Sequence, residues 1–471
     1  MLKKKLFTLL LCLGLVLSGC GAAPAAGPQA QSQTALEPQS TAAESQPAES
    51  GSEAESQPAE STGEAQSQPA QSGSGEAESQ PAQTGSQTEG SGEAESRPPV
   101  PPEGRPAAHA YKAMWVSYLE WQSFDFSSEA AFRAQVDTMM QNCAGLGLNV
   151  VIAQVRPFGD ALYPSRYYPW SDLCTGVQGG DPGFDPLQQL VESAHSHGLE
   201  IEAWVNPYRI RLNERHPQGE LADQNLYYRH PDWVKPVNTG LYLDPASEEV
   251  RRYVAAGVAE IAENYAVDGI HFDDYFYPTT DEAFDWESYD PTFGSLAEWR
   301  RENVNLLVRQ CYAAVKDVNP AVRFGISPQG NIENNYNGQY SDVYLWLSTP
   351  GYVDYLMPQI YWGYGYTTRS GSTRWAFENI SREWQALQKA PSVSLYFGLG
   401  AYRIGEGDGG NYNEAQSGWQ TGHTLADQAR DSLSLAQGYA LYRYDFLFKN
   451  SAWAEYAARE VQALKEVNAG A

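Results

Sequence analysis

The sequence predicts an α/β fold: a (β/α)8 TIM barrel with enlarged βα loops, preceded by a disordered linker. Three observations point there. From Tyr111 onward, short apolar runs of strand character alternate with stretches of helical periodicity. Eight such pairs fit into the remaining length of about 360 residues, a normal span for such a barrel. The runs are almost continuously apolar, as strands buried on both faces of a parallel sheet must be. Polar and ionisable residues gather just after the C-terminal ends of these runs, on the face where the βα loops of a barrel open. A doubly wound open sheet shares the alternation. No Gly-x-Gly-x-x-Gly turn follows the first run, however, so dinucleotide binding has no support.

Taken in order, Lys112–Ser117 is the first strand, and Ser127 caps a helix that runs through Cys143. Asn149–Val155 is the second strand, followed by a long loop, Arg156–Gly183, rich in Pro, Tyr and Trp. Asp185 and Pro186 form an N-cap and first-turn pair opening a helix to Gly198, which stands where a C′ glycine belongs. Glu200–Val205 is the third strand. A second long loop, Asn206–Asp244, leads to a helix opened by Pro245 and running through Tyr265. Asp268–Asp273 is the fourth strand, and Pro278 stops any continuation of its ladder. The second half repeats the rhythm: helix Leu296–Val318, strand Val322–Ser327, a helix around Ser341–Leu347, and strand Tyr352–Ile360. Helix Ser372–Lys389, strand Ser394–Leu399, helix Thr424–Gln437, strand Tyr439–Tyr444 and a closing helix, Ala452–Val467, complete the count.

Composition narrows the function. The chain has 471 residues, 58 acidic and 31 basic, for a net charge of −27. Such acidity argues against nucleic acid or an anionic membrane surface as partner. Residues 1–19 read as a targeting segment, with Lys3, Lys4 and Lys5 ahead of an apolar run too short to span a membrane stably. It ends Leu17-Ser18-Gly19-Cys20, which resembles the bacterial lipobox. By that resemblance Cys20 is lipidated and tethers the chain outside the cytoplasmic membrane, and the anchor is its only membrane contact. Residues 20–108 are Ser, Gln, Pro, Ala, Gly and Glu, with Ser-Gln-Pro-Ala recurring at Ser45, Ser56, Ser67 and Ser79. This segment has too little apolar surface to offset its chain entropy, so it reads as a disordered tether. Residues 109–471 form the barrel domain. Cys143, Cys174 and Cys311 remain after processing, an odd number without metal-ligand spacing. They suggest buried thiols and neither a disulfide framework nor a zinc site.

The chemistry centres on Asp268-Gly-Ile-His-Phe-Asp-Asp-Tyr-Phe-Tyr-Pro278. A short apolar strand ends in two adjacent carboxylates. Period-two alternation sends His271 and Asp273 to one side and Phe272 and Asp274 to the other. One of the two carboxylates therefore points into the barrel mouth; the alternative is a capping or ion-paired Asp pair. Other strand ends carry Gln154-Val-Arg-Pro-Phe-Gly-Asp160, Trp204-Val-Asn-Pro-Tyr-Arg209, Ser327-Pro-Gln-Gly-Asn331 with Glu333 behind it, Pro358-Gln-Ile-Tyr-Trp362, and Tyr444-Asp445.

These stretches, with Met114-Trp-Val-Ser117, Gly325-Ile-Ser-Pro328 and Met357-Pro-Gln-Ile-Tyr-Trp362, resemble the glycosyl hydrolase-like family 10, over Tyr111 to about Leu464. That is a TIM-barrel family, and some of its members act on peptidoglycan glycan strands stripped of their peptides. The chain departs from many relatives after the strand-five Ser-Pro, where Gln329-Gly-Asn331 replaces an aromatic or Gly-Val-Trp stretch. Strand four also resembles that of α-amylase-type barrels, with Asp273 in the nucleophile's place and His271 two residues before it. The strand-five acid of those enzymes is absent, since Ser327 stands there. The resemblance thus implies Asp273 as nucleophile or charge-stabilising carboxylate, with the acid drawn from Asp274 or Asp160 first, or from Glu333 or Asp445.

Glycosidic cleavage needs such a pair across one bond, one carboxyl with a raised pKa and the other ionised. Arg156, Asn206, Tyr208, Arg209, His271, Tyr275, Gln359, Tyr361 and Trp362 are the expected sugar-binding residues. Arg156 could instead neutralise a carboxylate, and Asp160 could cap a turn. No cofactor and no metal are assigned, although clustered carboxylates also suit calcium. The expected function is a surface-anchored glycoside hydrolase acting on a polysaccharide, with cell-wall glycan first in line. A non-catalytic glycan-binding lipoprotein and a transglycosidase are the alternatives. The sequence sets no oligomeric state.

Overall fold

The structure, a computed structural model, describes residues 110–410 and 419–470. The leader, Cys20 and the linker lie outside the described residues. Eight parallel strand positions form the core: β1 Tyr111–Val116, β2 Val150–Arg156, β3 Glu200–Val205, β4 Gly269–Phe272, β5 Arg323–Ile326, β6, β7, and β8 Gly438–Tyr442. Two of them are divided. β6 consists of Tyr355–Leu356 and Gln359–Ile360, and β7 of Ser394–Leu395 and Phe397–Gly400. Neighbours pair in parallel from β8 through β1 to the first half of β6. That half then pairs with the first half of β7, while their second halves pair with each other and β7 pairs with β8. Because β6 and β7 occur at both ends of the hydrogen-bonded order, the sheet closes on itself into a (β/α)8 barrel.

Side chains alternate as parallel strands require. Trp115, Ile152, Trp204 and Tyr355 pack in one cluster inside the ring. Met114, Val151, Ala203, Ile270 and Phe272 belong to the larger cluster beneath the helices. Cys143 and Cys311 lie in that outer layer, and all three described cysteines are free and buried.

Most elements fall where the sequence puts them. Strand Glu200–Val205 and helix Leu296–Val318 match residue for residue. That helix carries a capping box, Ser295 with Glu298. Helix Glu129–Gly145 is capped by Ser128, one residue later than expected. The helix expected to open at Pro245 begins at Glu248 under Ser247, whose hydroxyl accepts from Val250 N–H. Gly198 has φ +72°, as its C′ position demands. His195, in the last turn of the helix that Gly198 ends, bonds Asp268 at 2.9 Å.

Two expectations need correction. Tyr352–Ile360 is not one strand, because Pro358 has no N–H to continue the ladder. The loop 206–244 is also not irregular. It folds into a three-stranded antiparallel sheet, Arg209–Arg211, Val234–Val237 and Gly240–Leu243, standing above β3.

One buried ion pair fixes the loop that leaves β4. Arg300, on helix Leu296–Val318, and Asp285 are both fully buried, and Arg300 Nε lies 3.1 and 3.0 Å from the two Asp285 oxygens. The same guanidinium donates to Thr280 O, Asp281 O and Tyr340 Oη. Breaking a buried pair leaves an uncompensated charge, which costs about 3–5 kcal/mol. Asp285→Ala is therefore expected to lower unfolding free energy by that amount, read from denaturant melts.

Candidate active site

Strand β4 ends at Phe272, and the chain leaves strict alternation there. Asp273 and Asp274 consequently both reach the mouth, instead of parting to opposite faces. They are only 2% and 3% exposed. Asp273 Oδ2 accepts from the Trp204 indole N–H at 3.1 Å, and Oδ1 accepts from Tyr275 N–H at 3.2 Å. Asp274 is held by three glutamine amides. Gln329 Nε2 lies 3.0 Å and Gln339 Nε2 3.4 Å from Oδ2, and Gln359 Nε2 lies 3.1 Å from Oδ1.

Burial pushes the Asp273 carboxyl up to about 8, and the neighbouring Asp274 charge adds to the rise. The Arg209 guanidinium and the bonds from Tyr275 and Trp204 oppose it. Burial also raises Asp274, and the glutamine amides pull it back. Burial thus raises both carboxyls, and Asp273, pushed to about 8, favours its protonated form at neutral pH. Arg209 stacks over Tyr275 and Phe158 at 4.6 and 5.0 Å and donates to Pro157 O. Tyr361, 9% exposed, feels the charge of Asp274 and lies close to Tyr275, Tyr402 and Tyr442. A proton donor, an adjacent anion, a guanidinium and tyrosine faces thus converge at one rim of the barrel. That set can protonate a leaving oxygen and stabilise positive charge beside it.

The glycosyl hydrolase-like 10 family model matches residues 111–419. The chain belongs to the glycosyl hydrolase-like 10 family. Glycosyl hydrolase YngK of Bacillus subtilis is 35% identical over 319 residues, which cover 62% of this chain and 61% of the relative. Glycosyl hydrolase DigH of Escherichia coli K12 is 32% identical over 372 residues, covering 71% of this chain and 82% of the relative. The chain thus spans less than two thirds of the Bacillus relative's length. Among solved structures, the glycoside hydrolase domain of PgaB (BpsB) from Bordetella bronchiseptica aligns at 12% identity and a TM-score of 0.48, covering 76% of this chain and 99% of that one.

In this family member, Asp273, Asp274, Arg209, Tyr275, Gln359 and Tyr361 come together. Several other expected site residues do not join them. His271 is fully buried, and both its ring nitrogens are engaged by protein, so it supports the floor and is not open to a sugar. Tyr208 is fully buried in the outer core, where Arg251 and Asp244 are its charged neighbours. Arg156 leaves the bulged end of β2 and stacks at 4.2 Å on Tyr168, with no carboxylate in ion-pair reach among the described residues. The structural ion pair that was the alternative for Arg156 is not formed among the described residues. Asn206 Oδ1 accepts from Gln154 Nε2 at 3.0 Å, beside the ends of β2 and β3. Trp362 stacks on Trp375 at 5.5 Å.

Asp160 is fully buried and bonded to Gln178 at 2.7 Å. Burial and the Asp172 charge raise it to about 7. Its partner Gln178 accepts from Ala222 N–H and the Asn225 amide, so this cluster ties together the loops after β2 and β3. Glu333 is exposed and paired with Arg374 at 3.0 Å, and Asp445 is paired with Lys449 at 3.2 Å. Among the described residues, no group of three or more His, Cys, Asp or Glu could hold a metal. Sequence reasoning gave no role to Gln329 and missed Gln339. The departure at Gln329-Gly-Asn331 was the available signal, since Gln329 now proves to hold Asp274.

The raised Asp273 pKa carries a stability signature. A carboxyl titrating near 8 when folded and near 3.9 when unfolded favours the folded state on the acid side. That contribution is complete below the unfolded value and is lost as pH rises through the folded one. Asp273→Asn should therefore lessen the fall in melting temperature between about pH 4 and pH 8, measured against the native chain.

Proposed function

We propose that this protein is a glycoside hydrolase in which Asp273 is the general acid and Asp274 the ionised partner. This reverses the roles implied by the α-amylase-type resemblance. The reason is physical: a carboxyl raised to about 8 holds its proton at neutral pH and can give it to a glycosidic oxygen. Asp274, fixed by three amide donors, stabilises the positive charge that develops on the sugar ring. Arg209, Tyr275, Tyr361 and Gln359 border the sugar. The single observation carrying this reading is the buried, adjacent carboxyl pair at the closed mouth. The two relatives, both named glycosyl hydrolases, support it.

We further propose that the substrate is cell-wall glycan, with peptidoglycan strands stripped of their peptides as the first choice. The support is the family resemblance and the leader, which would direct the chain out of the cytoplasm and anchor it through Cys20. The 88 residues from Gly21 to Ala108, read from their composition as a tether, would reach on the order of 50 Å from such an anchor, enough to meet a wall polymer. The sharpest rival, a glycan-binding protein without activity, rests on Ser327 standing where a strand-five acid might be.

Purified protein incubated with denuded glycan strands should release reducing ends. Asp273→Asn should lower kcat by about 10²–10⁴ while binding persists. The native kcat/KM should fall on the alkaline side with a midpoint near 8, because an acid catalyst fails once deprotonated. Tight glycan binding with no product from the native chain would favour the rival. Undiminished turnover by a folded Asn variant would overturn the assignment of Asp273.

A further inference from the structure

Beneath the carboxyl pair, four buried side chains and the partly exposed Arg323 form one hydrogen-bonded line through the barrel interior. Arg323 Nε donates to Glu202 Oε1 at 2.8 Å, and Tyr355 Oη bonds Glu202 Oε2. His271 Nδ1 lies 2.7 Å from Tyr355 Oη, and the Trp115 indole Nε1 lies 3.2 Å from His271 Nε2. Glu202, Tyr355 and His271 are fully buried, and Trp115 is 1% exposed.

The hydrogens in this line can run only one way. An indole N–H donates and cannot accept. His271 Nε2 must therefore be unprotonated. Burial holds the ring neutral, pushing its pKa down to about 3, so its one proton sits on Nδ1. That proton goes to Tyr355 Oη, and the tyrosine's own proton goes to Glu202. Glu202 is left as the ionised end of the line, matched by Arg323, which also reaches Glu200.

The barrel makes room for this arrangement. A Cβ at Gly269 would stand 2.7 Å from Glu202 Cδ, and one at Gly325 only 1.9 Å from Tyr355 Cζ. Two adjacent strands thus give up side chains to admit it. The line also touches the supports of both carboxyls. The Trp204 ring meets His271 edge-on at 6.2 Å and bonds Asp273. Ser327 Oγ lies 3.1 Å from His271 Nε2, and Ser327 O accepts from Gln359 Nε2 at 3.1 Å, the amide that holds Asp274.

We propose that Glu202 is a positioning residue for the reaction: through Tyr355 it fixes His271 as the Nδ1–H tautomer, whose free Nε2 holds Trp115 and Ser327 under Asp273 and Asp274. The inference rests on the glycosidase reading for its kinetic consequence, but its structural core is tested apart from activity.

Nitrogen-15 NMR of imidazole-labelled native protein should show His271 protonated at Nδ1 and bare at Nε2 from pH 5 to 8. In Glu202→Gln the amide can donate to Tyr355, whose hydroxyl then turns to Nδ1. The His271 signals should shift toward the other tautomer, and the Asp273 side-chain carbon-13 titration should move with them. Turnover should fall about 10–100-fold with KM within about twofold, as expected on losing an outer hydrogen-bond partner. Should Glu202→Gln fail to fold, Tyr355→Phe removes the acceptor of the Nδ1 proton alone: the His271 Nδ1 signal should shift with Nε2 still bare, and the Asp273 titration should move with it. A native His271 protonated at Nε2 overturns the proposal, as does a tautomer change that leaves the Asp273 titration unmoved. A native chain with no hydrolysis overturns the glycosidase reading instead, and the two NMR arms still decide this one.

Discussion

Two carboxyl groups on consecutive residues, both taken out of water, set the terms for the whole mouth. Like charges about 4 Å apart repel by about 4 kcal/mol even at the effective dielectric of a protein surface, and by more in the interior. Burial alone already disfavours each anion. The surroundings answer this load mostly with neutral dipoles. Asp274 receives three glutamine amides, and Asp273 an indole and a backbone amide, with the Arg209 guanidinium opposing the rise at Asp273. Amides fix the geometry and leave the proton affinity of the pair high.

Those donors converge because the ring is closed. Gln329 and Gln359 lie 55 and 85 residues beyond Asp274 in the chain. They meet at Asp274 because β5 and β6 follow β4 around the barrel. The break in β6 serves the same end. Pro358 cannot donate, so the ladder lapses, and Gln359 resumes it by giving its N–H to Pro328 O. Gln329 and Gln359 then form an isolated parallel bridge, which brings both side chains toward one carboxylate. A backbone irregularity that looks like a defect in the strand is what places the donors.

Much of this was legible in the chain, and the limits follow one physical line. Helix Leu296–Val318 was readable because a capping box and a long apolar period agree. The carboxyl pair was readable because charge at the end of an apolar strand has no other cheap place to go. The two carboxyls were expected on opposite faces with one of them in the mouth, yet alternation holds only while the strand lasts, and β4 stops at Phe272. Arg156 and Tyr208 stand in the right motifs, yet a bulge at the end of β2 and a packed outer layer turn them away from the mouth. The line from Glu202 to His271 was not legible at all. Glu202 and Tyr355 are 153 residues apart, and only strand order and register make them touch. Local rules read what a residue does to its neighbours in sequence; polar networks depend on neighbours in space.

The same distinction bears on whether the mouth cuts or only binds. A cleft that merely holds a sugar chain needs ring faces and hydrogen-bonding groups, and these work well when partly solvated. It gains nothing from pushing a carboxyl to about 8, because every step of that shift is folding stability given up at neutral pH. A carboxyl raised toward neutrality can also be structural, as Asp160 is, so what marks Asp273 as a proton donor is where it stands, at the mouth beside Asp274. The structure also keeps its nearest ring nitrogen out of that role. His271, the side chain best suited by type to trade protons near pH 7, is buried, neutral and occupied at both nitrogens. With the imidazole committed to the floor, the acid role proposed for the mouth falls to Asp273.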